Sequence, residues 1–299
     1  LIDQVFKEPD WSHQLRLCFE TLPQLRIVFT GSSVMRLKEE NPELNGIVRS
    51  YNLRGFSFRE YLNLQTGLSF KAHTLDEILT HHTQLTAEIC QRVNPLHYFS
   101  DYLHHGYYPV FLEQTNFSEN LLKVMNMMIE VDILLIQQIE LKYLSRIKKL
   151  FYLLATGEYG APNVSQLAQE VHTSRATTTN YIKYLSDARL INIQYRSGDT
   201  VPKKPARLMM HNTNLMHAMT PHQVKTQEAV ETFFQNALWS LHTVNVGDRN
   251  CTYLVDNQHR FRIATESVKR KAEGVYYVLD GINRGYGCEI PLWLFGFLY

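Results

Sequence analysis

The chain has 299 residues, 44% hydrophobic and 20% charged, with a formal net charge of +1. That balance excludes a disordered or collagen-like chain, and the length suits more than one domain. The longest apolar stretches, such as residues 290–299, fall short of the roughly 20 that cross a bilayer, and no basic-apolar-small leader opens the chain, so a cytoplasmic protein without a membrane partner is expected. Charge is unevenly spread: residues 1–139 carry 11 Lys/Arg against 16 Asp/Glu, residues 140–210 carry 11 against 5, and residues 211–299 carry 8 of each. The four cysteines, at 18, 90, 251 and 288, lack the paired spacing of zinc or redox motifs and read as buried thiols.

Leu1-Ile2-Asp3 reads as the end of a buried strand. Pro9-Asp10-Trp11 begins a helix with Trp11, Leu15, Leu17, Cys18 and Leu22 as its apolar face. Leu25–Phe29 is a second strand, running into Thr30-Gly31-Ser32-Ser33. Strand, helix and strand with polar strand ends is a parallel α/β signature, and ligands of such sheets lie beyond the carboxyl ends, where Asp3 and Thr30 would sit. A carboxylate there can reach the metal of a bound nucleotide; alone, Asp3 reads equally as a surface or capping residue.

Helical patterns follow at Leu75–Ala87, Leu96–His105 and Phe117–Ile139, the makings of a lid or linker. His81-His82 and His104-His105 are adjacent pairs whose members point about 100° apart on a helix, so neither pair chelates one ion from a single face. Two further helices span Tyr143–Val171. A third, capped by Ser174, runs to Ala188, and the strand Leu190–Tyr195 and the turn Ser197-Gly198-Asp199 follow it, in the order of a helix-turn-helix with a wing. This order turns Leu167, Val171, Ile182 and Leu185 inward. Arg175, Thr178, Thr179 and Lys183 then face outward, beside a wing carrying Arg196, Lys203, Lys204 and Arg207. Such side chains suit base-edge and phosphate contacts with DNA, although winged helices also bind proteins. A helix at Glu228–Leu241 and strands at Tyr253–Val255, Phe261–Ile263 and Val275–Leu279 complete an α+β tail.

These segments, with Leu53–Leu62, Gly106-Tyr107-Tyr108-Pro109, Asn212–Met216, Glu231–Phe234 and Ile290–Tyr299, resemble in order the prokaryotic AAA+ P-loop ATPases in which an ATPase module precedes a winged helix and a degenerate restriction-endonuclease-like domain. The resemblance covers essentially the whole chain. It implies a partial P-loop ATPase α/β sheet at 1–63, a helical lid at 64–139, a winged helix at 140–207 and an α+β nuclease-like domain at 208–299. It also implies ATP and Mg²⁺ as cofactors, Asp3 as the metal-holding aspartate, Thr30 and Ser32 at the γ-phosphate or its water, and Gln4, Thr30 and Arg49 in catalytic positions.

Departures from the family pattern accompany the likeness. Gln4 replaces the usual Glu, and an amide cannot accept the proton of attacking water, so impaired hydrolysis is expected. Phe6 stands where the family often has His. Gly46-Ile47 replaces an arginine pair, leaving Arg49 as the nearest guanidinium, either a charge-stabilising group or a surface residue. No G-x-x-x-x-G-K-[ST] occurs in the 299 residues, and the chain enters at the aspartate strand, so poor ATP affinity and an uncovered sheet edge are expected of this segment alone. Where the family carries an acidic residue before Gly-Gly-Lys, Arg262 stands; Glu231 and Asp256 lack their partners, and the tail reads as structural. Self-assembly or a protein partner is consistent with the family.

Overall fold

A computed structural model describes residues 1–32, 41–113, 116–157, 162–198, 204–268 and 270–299. The fold divides into two units. One comprises Leu1–Arg54, Val124–Phe151 and Val164–Leu190; the other comprises Gly55–Lys123, Tyr152–Asn163 and Ile191–Tyr299. Both helices and strands are present, the strands in antiparallel and parallel pairings. Among the described residues no helix is long and apolar enough to cross a membrane.

In the first unit, Ile2 pairs with Phe29 in parallel. Ile2 N–H donates to the Val28 carbonyl and Thr30 N–H to the Ile2 carbonyl, each at 2.9 Å. The expected buried strand is not found: Leu1 is 93% and Val28 63% exposed. A parallel pair needs cover on both faces, and a single bridge gathers too few neighbours to give it. Helix α1, Trp11–Thr21, buries Leu15 and packs toward the turn Pro42–Leu44. There the Ser12 hydroxyl donates to the Glu43 carboxylate and Arg16 to the Glu43 carbonyl. Leu17 and Leu22 are exposed rather than part of the apolar face. Leu17 lies about 200° around the helix from Leu15, and Leu22 follows the helix end.

Helices α2 (Phe58–Thr66), α3 (Leu75–Arg92) and α4 (Pro95–Asp101) belong to the second unit. Helix α5 (Phe117–Met127) follows, and after it the expected continuous helix widens into a π turn at Met128–Ile133. Met125, Ile129 and Ile133 recur every four residues through this stretch and are buried. Helices α6 (Leu144–Thr156), α7 (Val164–Glu170) and α8 (Arg175–Asp187) come next, and the Ser174 hydroxyl caps α8 by accepting from Thr177 N–H at 3.1 Å. Val164, Ala168, Val171, Ile182 and Leu185 are buried, which joins α7 and α8 through apolar faces.

In the second unit the strands β1 (Ile191–Gln194) and β2 (Arg207–Met210) form an antiparallel pair with Ile191 opposite Met210. Helices α9 (Thr213–Met219) and α10 (Thr226–Leu238) lead to a sheet in the order β3 (Val244–Val246), β4 (Tyr253–Val255), β5 (His259–Ala264), β6 (Val275–Leu279) and β7 (Glu289–Pro291). The first three strands pair antiparallel, whereas β5, β6 and β7 are parallel. Pro291 is tolerated because β7 is an edge strand.

One core joins distant parts of this unit. Phe58, Leu75, Ile78, Phe99 and Tyr102 cluster with Val230, Phe233, Phe234, Trp293 and Phe297. Thus the segment read as a lid or linker contributes side chains to the same core as the C-terminal sheet. Glycine is required at Gly296, where a Cβ would collide with that of Phe58. Capping boxes start α2 (Ser57 with Glu60) and α3 (Thr74 with Glu77). All four cysteines are free, but only Cys251 is buried, the others being half-exposed. Their long separations in sequence exclude a disulfide motif without dictating burial.

Candidate functional site

The single parallel Ile2–Phe29 bridge brings Asp3 and Thr30, the residues that follow its two members, side by side. The Thr30 hydroxyl donates to Asp3 Oδ1 and accepts from the Gln4 backbone N–H at 3.0 Å. Val5 N–H donates to the Thr30 carbonyl at 3.1 Å, so both the side chain and the backbone of Thr30 hold the turn after Asp3. Gln4 adopts a left-handed backbone, φ 55°, uncommon for a residue with a Cβ. This turn separates the Asp3 carboxylate from the buried Val5 that anchors it.

The other residues expected at this site are engaged elsewhere. Ser32 donates through its hydroxyl to Asp132 Oδ2 at 2.6 Å, and the Arg49 guanidinium lies over Tyr51, 5.2 Å from the ring centroid. Asp132 sits in the Met128–Ile133 turn and had no signal in the sequence, since a lone carboxylate in an amphipathic helix reads as a solvated face. Ser33 lies outside the described residues.

An exposed carboxylate with a hydroxyl locked onto it fits the metal-bearing half of a Mg²⁺-nucleotide site, because Mg²⁺ commonly takes one or two protein carboxylates and completes its shell with water and phosphate oxygens. Among the described residues no group of three or more His, Cys, Asp or Glu side chains is placed to hold an ion. The residues present therefore suit an ion delivered with its phosphates, and they include no glycine-rich cradle.

On the helix-turn-helix, Arg175, Thr179 and Lys183 are exposed on α8. Thr178 is not: it is fully buried and its hydroxyl donates to the Ser174 carbonyl at 3.0 Å. Thr178 shares one face of the helix with Ile182 and Leu185, the face that those two bury. In the segment expected to form the wing, Arg196 and Lys204 are exposed, whereas Lys203 and Asp199 lie outside the described residues. Arg207 is no free wing cation; it pairs with Glu231 of α10 at 2.6 Å and also reaches the Tyr253 hydroxyl. Glu231 is buried and accepts from Gln227 at 2.7 Å. Asp256 accepts from the Thr243 N–H and meets His242 at 2.7 Å. Both acids are held in local bonding.

The His104 ring lies 5.5 Å from that of His105 and 4.8 Å from that of His217 of α9, centroid to centroid. Burial and the neighbouring His104 push His217 down to about 4. His105 is also lowered, chiefly by burial. Burial thus favours the neutral form of His105 and His217, and no carboxylate or thiol joins these rings as a metal set among the described residues.

A hydroxyl-bound carboxylate beside a parallel bridge suits the class of α/β nucleotide sites, whose ligands lie beyond the carboxyl ends of the strands. Consistent with that class, a family model described as an AAA domain matches residues 1–62. A second model, described as a domain of unknown function (DUF8612), matches residues 96–226. The chain is also 24% identical over 196 residues to an uncharacterized protein of Methanocaldococcus jannaschii, MJ1637; the match covers 64% of this chain and 41% of that protein. The chain therefore spans less than half of that relative's length. No solved structure matches it. The N-terminal segment is AAA-like and suggests an ATPase-type module.

Proposed function

We propose that this chain supplies the metal-binding strand of an AAA+-type ATPase and couples it, through a winged helix, to DNA or a protein partner. The observation that carries this reading is the Asp3–Thr30–Gln4 bonding beside the parallel Ile2–Phe29 bridge, within the segment that matches an AAA domain. Asp3 holds Mg²⁺ directly or through its waters, and Thr30 fixes the carboxylate's orientation. When bound, Mg²⁺ neutralises phosphate charge as it develops. Gln4 can orient water but cannot take its proton, so slow turnover belongs to the proposal. Arg49 and Ser32 would have to leave Tyr51 and Asp132 to reach a nucleotide.

The test is Mg²⁺-dependent nucleotide binding by the full-length protein. Asp3→Asn is expected to weaken it at least tenfold, and Gln4→Glu to raise hydrolysis; nucleotide affinity indifferent to both Mg²⁺ and Asp3 refutes the reading.

A second reading is a non-catalytic DNA-binding or protein-interaction protein with a decayed ATPase module. Gln4 at the position of the catalytic Glu favours it, together with the exposed Arg175, Thr179 and Lys183. In either reading, α7 and α8 serve as the helix-turn-helix, and residues 208–299 carry no catalysis. Steep loss of DNA binding with rising salt is expected, and salt-independent binding argues for a protein partner instead.

A further inference from the structure

A cavity of about 900 Å³ opens in the second unit where the end of β1 meets the β3–β4 hairpin, and it is lined by Arg196, Asp248, Arg249, Cys251 and Arg260 among others. Its size is that of a small-ligand site. Three arginines and one aspartate line it. Asp248 is already engaged: both its oxygens meet Arg260 Nη2, at 3.1 and 2.8 Å, and it accepts from the Asn250 N–H at 2.8 Å. Those bonds hold its carboxyl below the usual range, the backbone bond from Asn250 most of all. Arg196 and Arg249 have no acidic partner among the described residues.

Both free arginines stand on fixed backbone. Arg196 bridges Val246 in parallel, and Val246 N–H donates to the Tyr195 carbonyl at 2.9 Å. The adjacent Ser197 hydroxyl donates to Asn257 at 2.7 Å. The Arg249 carbonyl accepts from Arg262 at 3.2 Å. A Cβ at Gly247 would collide with the Cys251 carbonyl, so the hairpin closes tightly only with glycine there. The cavity is therefore lined by two arginines with no acidic partner among the described residues, and by a third whose guanidinium is held by Asp248.

We propose that this cavity binds phosphate groups, carried by a free nucleotide or by a nucleic-acid strand. Guanidinium forks match phosphate oxygens bidentately, and a concave cluster of uncompensated cations concentrates anions. The proposal does not rest on the Asp3 site, and its test is made in the Asp3→Asn full-length protein so that nucleotide bound there does not count. Binding of a labelled single-stranded oligonucleotide, and its displacement by AMP or pyrophosphate, is measured with and without Arg196→Gln/Arg249→Gln. Both residues are exposed, so an unchanged melting curve is expected. The double variant is expected to weaken the tighter-binding probe at least tenfold. For the strand, it should lower the slope of log affinity against log salt by about 1.4, roughly 0.7 for each phosphate no longer neutralised. Effective displacement by AMP identifies a free nucleotide as the source; an oligonucleotide that AMP does not displace identifies a strand. Absence of binding by every probe, affinity unchanged in the double variant, or displacement by polyglutamate as effective as by pyrophosphate overturns the proposal.

Discussion

Thr30 has one hydroxyl proton, and it is committed to the hydrogen bond that Thr30 donates to Asp3. This makes Thr30 a positioning residue whose loss is read through Asp3. Thr30→Val keeps the β-branched shape and removes the hydroxyl, leaving the carboxylate free to rotate and the Gln4 N–H without its acceptor. The expected outcome is a three- to tenfold weaker Mg²⁺ dependence of nucleotide binding, restored by Thr30→Ser; a titration of Mg²⁺ at fixed nucleotide checks it. Glu231 offers a contrasting case. The sequence leaves it as a remnant acid, yet Arg207, Gln227 and the Tyr253 hydroxyl enclose it. Glu231→Ala strands a largely buried guanidinium, which costs about 3 kcal/mol, readable as a lower urea midpoint with an unchanged slope.

Elements differ in how plainly the sequence announces them. Strands β4, β5 and β6 are legible because Tyr253–Val255, Phe261–Ile263 and Val275–Leu279 are apolar runs between turn residues. Strand β7 is hidden by Pro291, and β3 by Asn245 at the centre of its short span. Thr178 misleads because a polar side chain near the start of a helix looks exposed, while its register with Ile182 buries it. Ser32 and Asp132 meet across 100 residues of chain, a pairing no local pattern encodes. Asp3 and Thr30 are legible through the general rule for parallel strand ends. The packing of the Tyr102–Gly106 turn against α9 has a pH consequence, carried by His104 and His217. His217 has a folded pKa near 4, below the roughly 6.5 of an unfolded histidine. The unfolded chain therefore binds more protons between those values. Stability is fully present above about pH 6.5 and is lost as pH falls toward 4. Because the ring is partly exposed, its contribution is at most about 2 kcal/mol after allowance for solvent screening. Denaturant melts at pH 7 and pH 4.5 should show a smaller difference for His217→Gln than for the parent; an equal difference removes His217 from the account.

At the scale of the whole chain, the shared core decides which pieces can fold alone. The boundary at residue 208 suggested by the sequence leaves α10, the five-stranded sheet and the terminal turn Leu292–Phe297 on one side. Phe58, Leu62, Leu75, Ile78, Phe99 and Tyr102, which complete their core, fall on the other. Each large apolar side chain removed from such a core forfeits about 1.5–3 kcal/mol of burial, and six together rival the roughly 5–15 kcal/mol by which domains are normally stable. Residues 208–299 expressed alone are therefore expected to lack a cooperative urea transition and to bind a hydrophobic dye, whereas in the whole chain the sheet and its helices should unfold together. Gly296→Ala probes the same junction within the intact chain. The added methyl must displace the Phe58 side chain, and the expected loss of about 1–3 kcal/mol should appear in the melt of the intact chain. A cooperative transition in 208–299 would show that the sheet holds its core without the helices of residues 58–103.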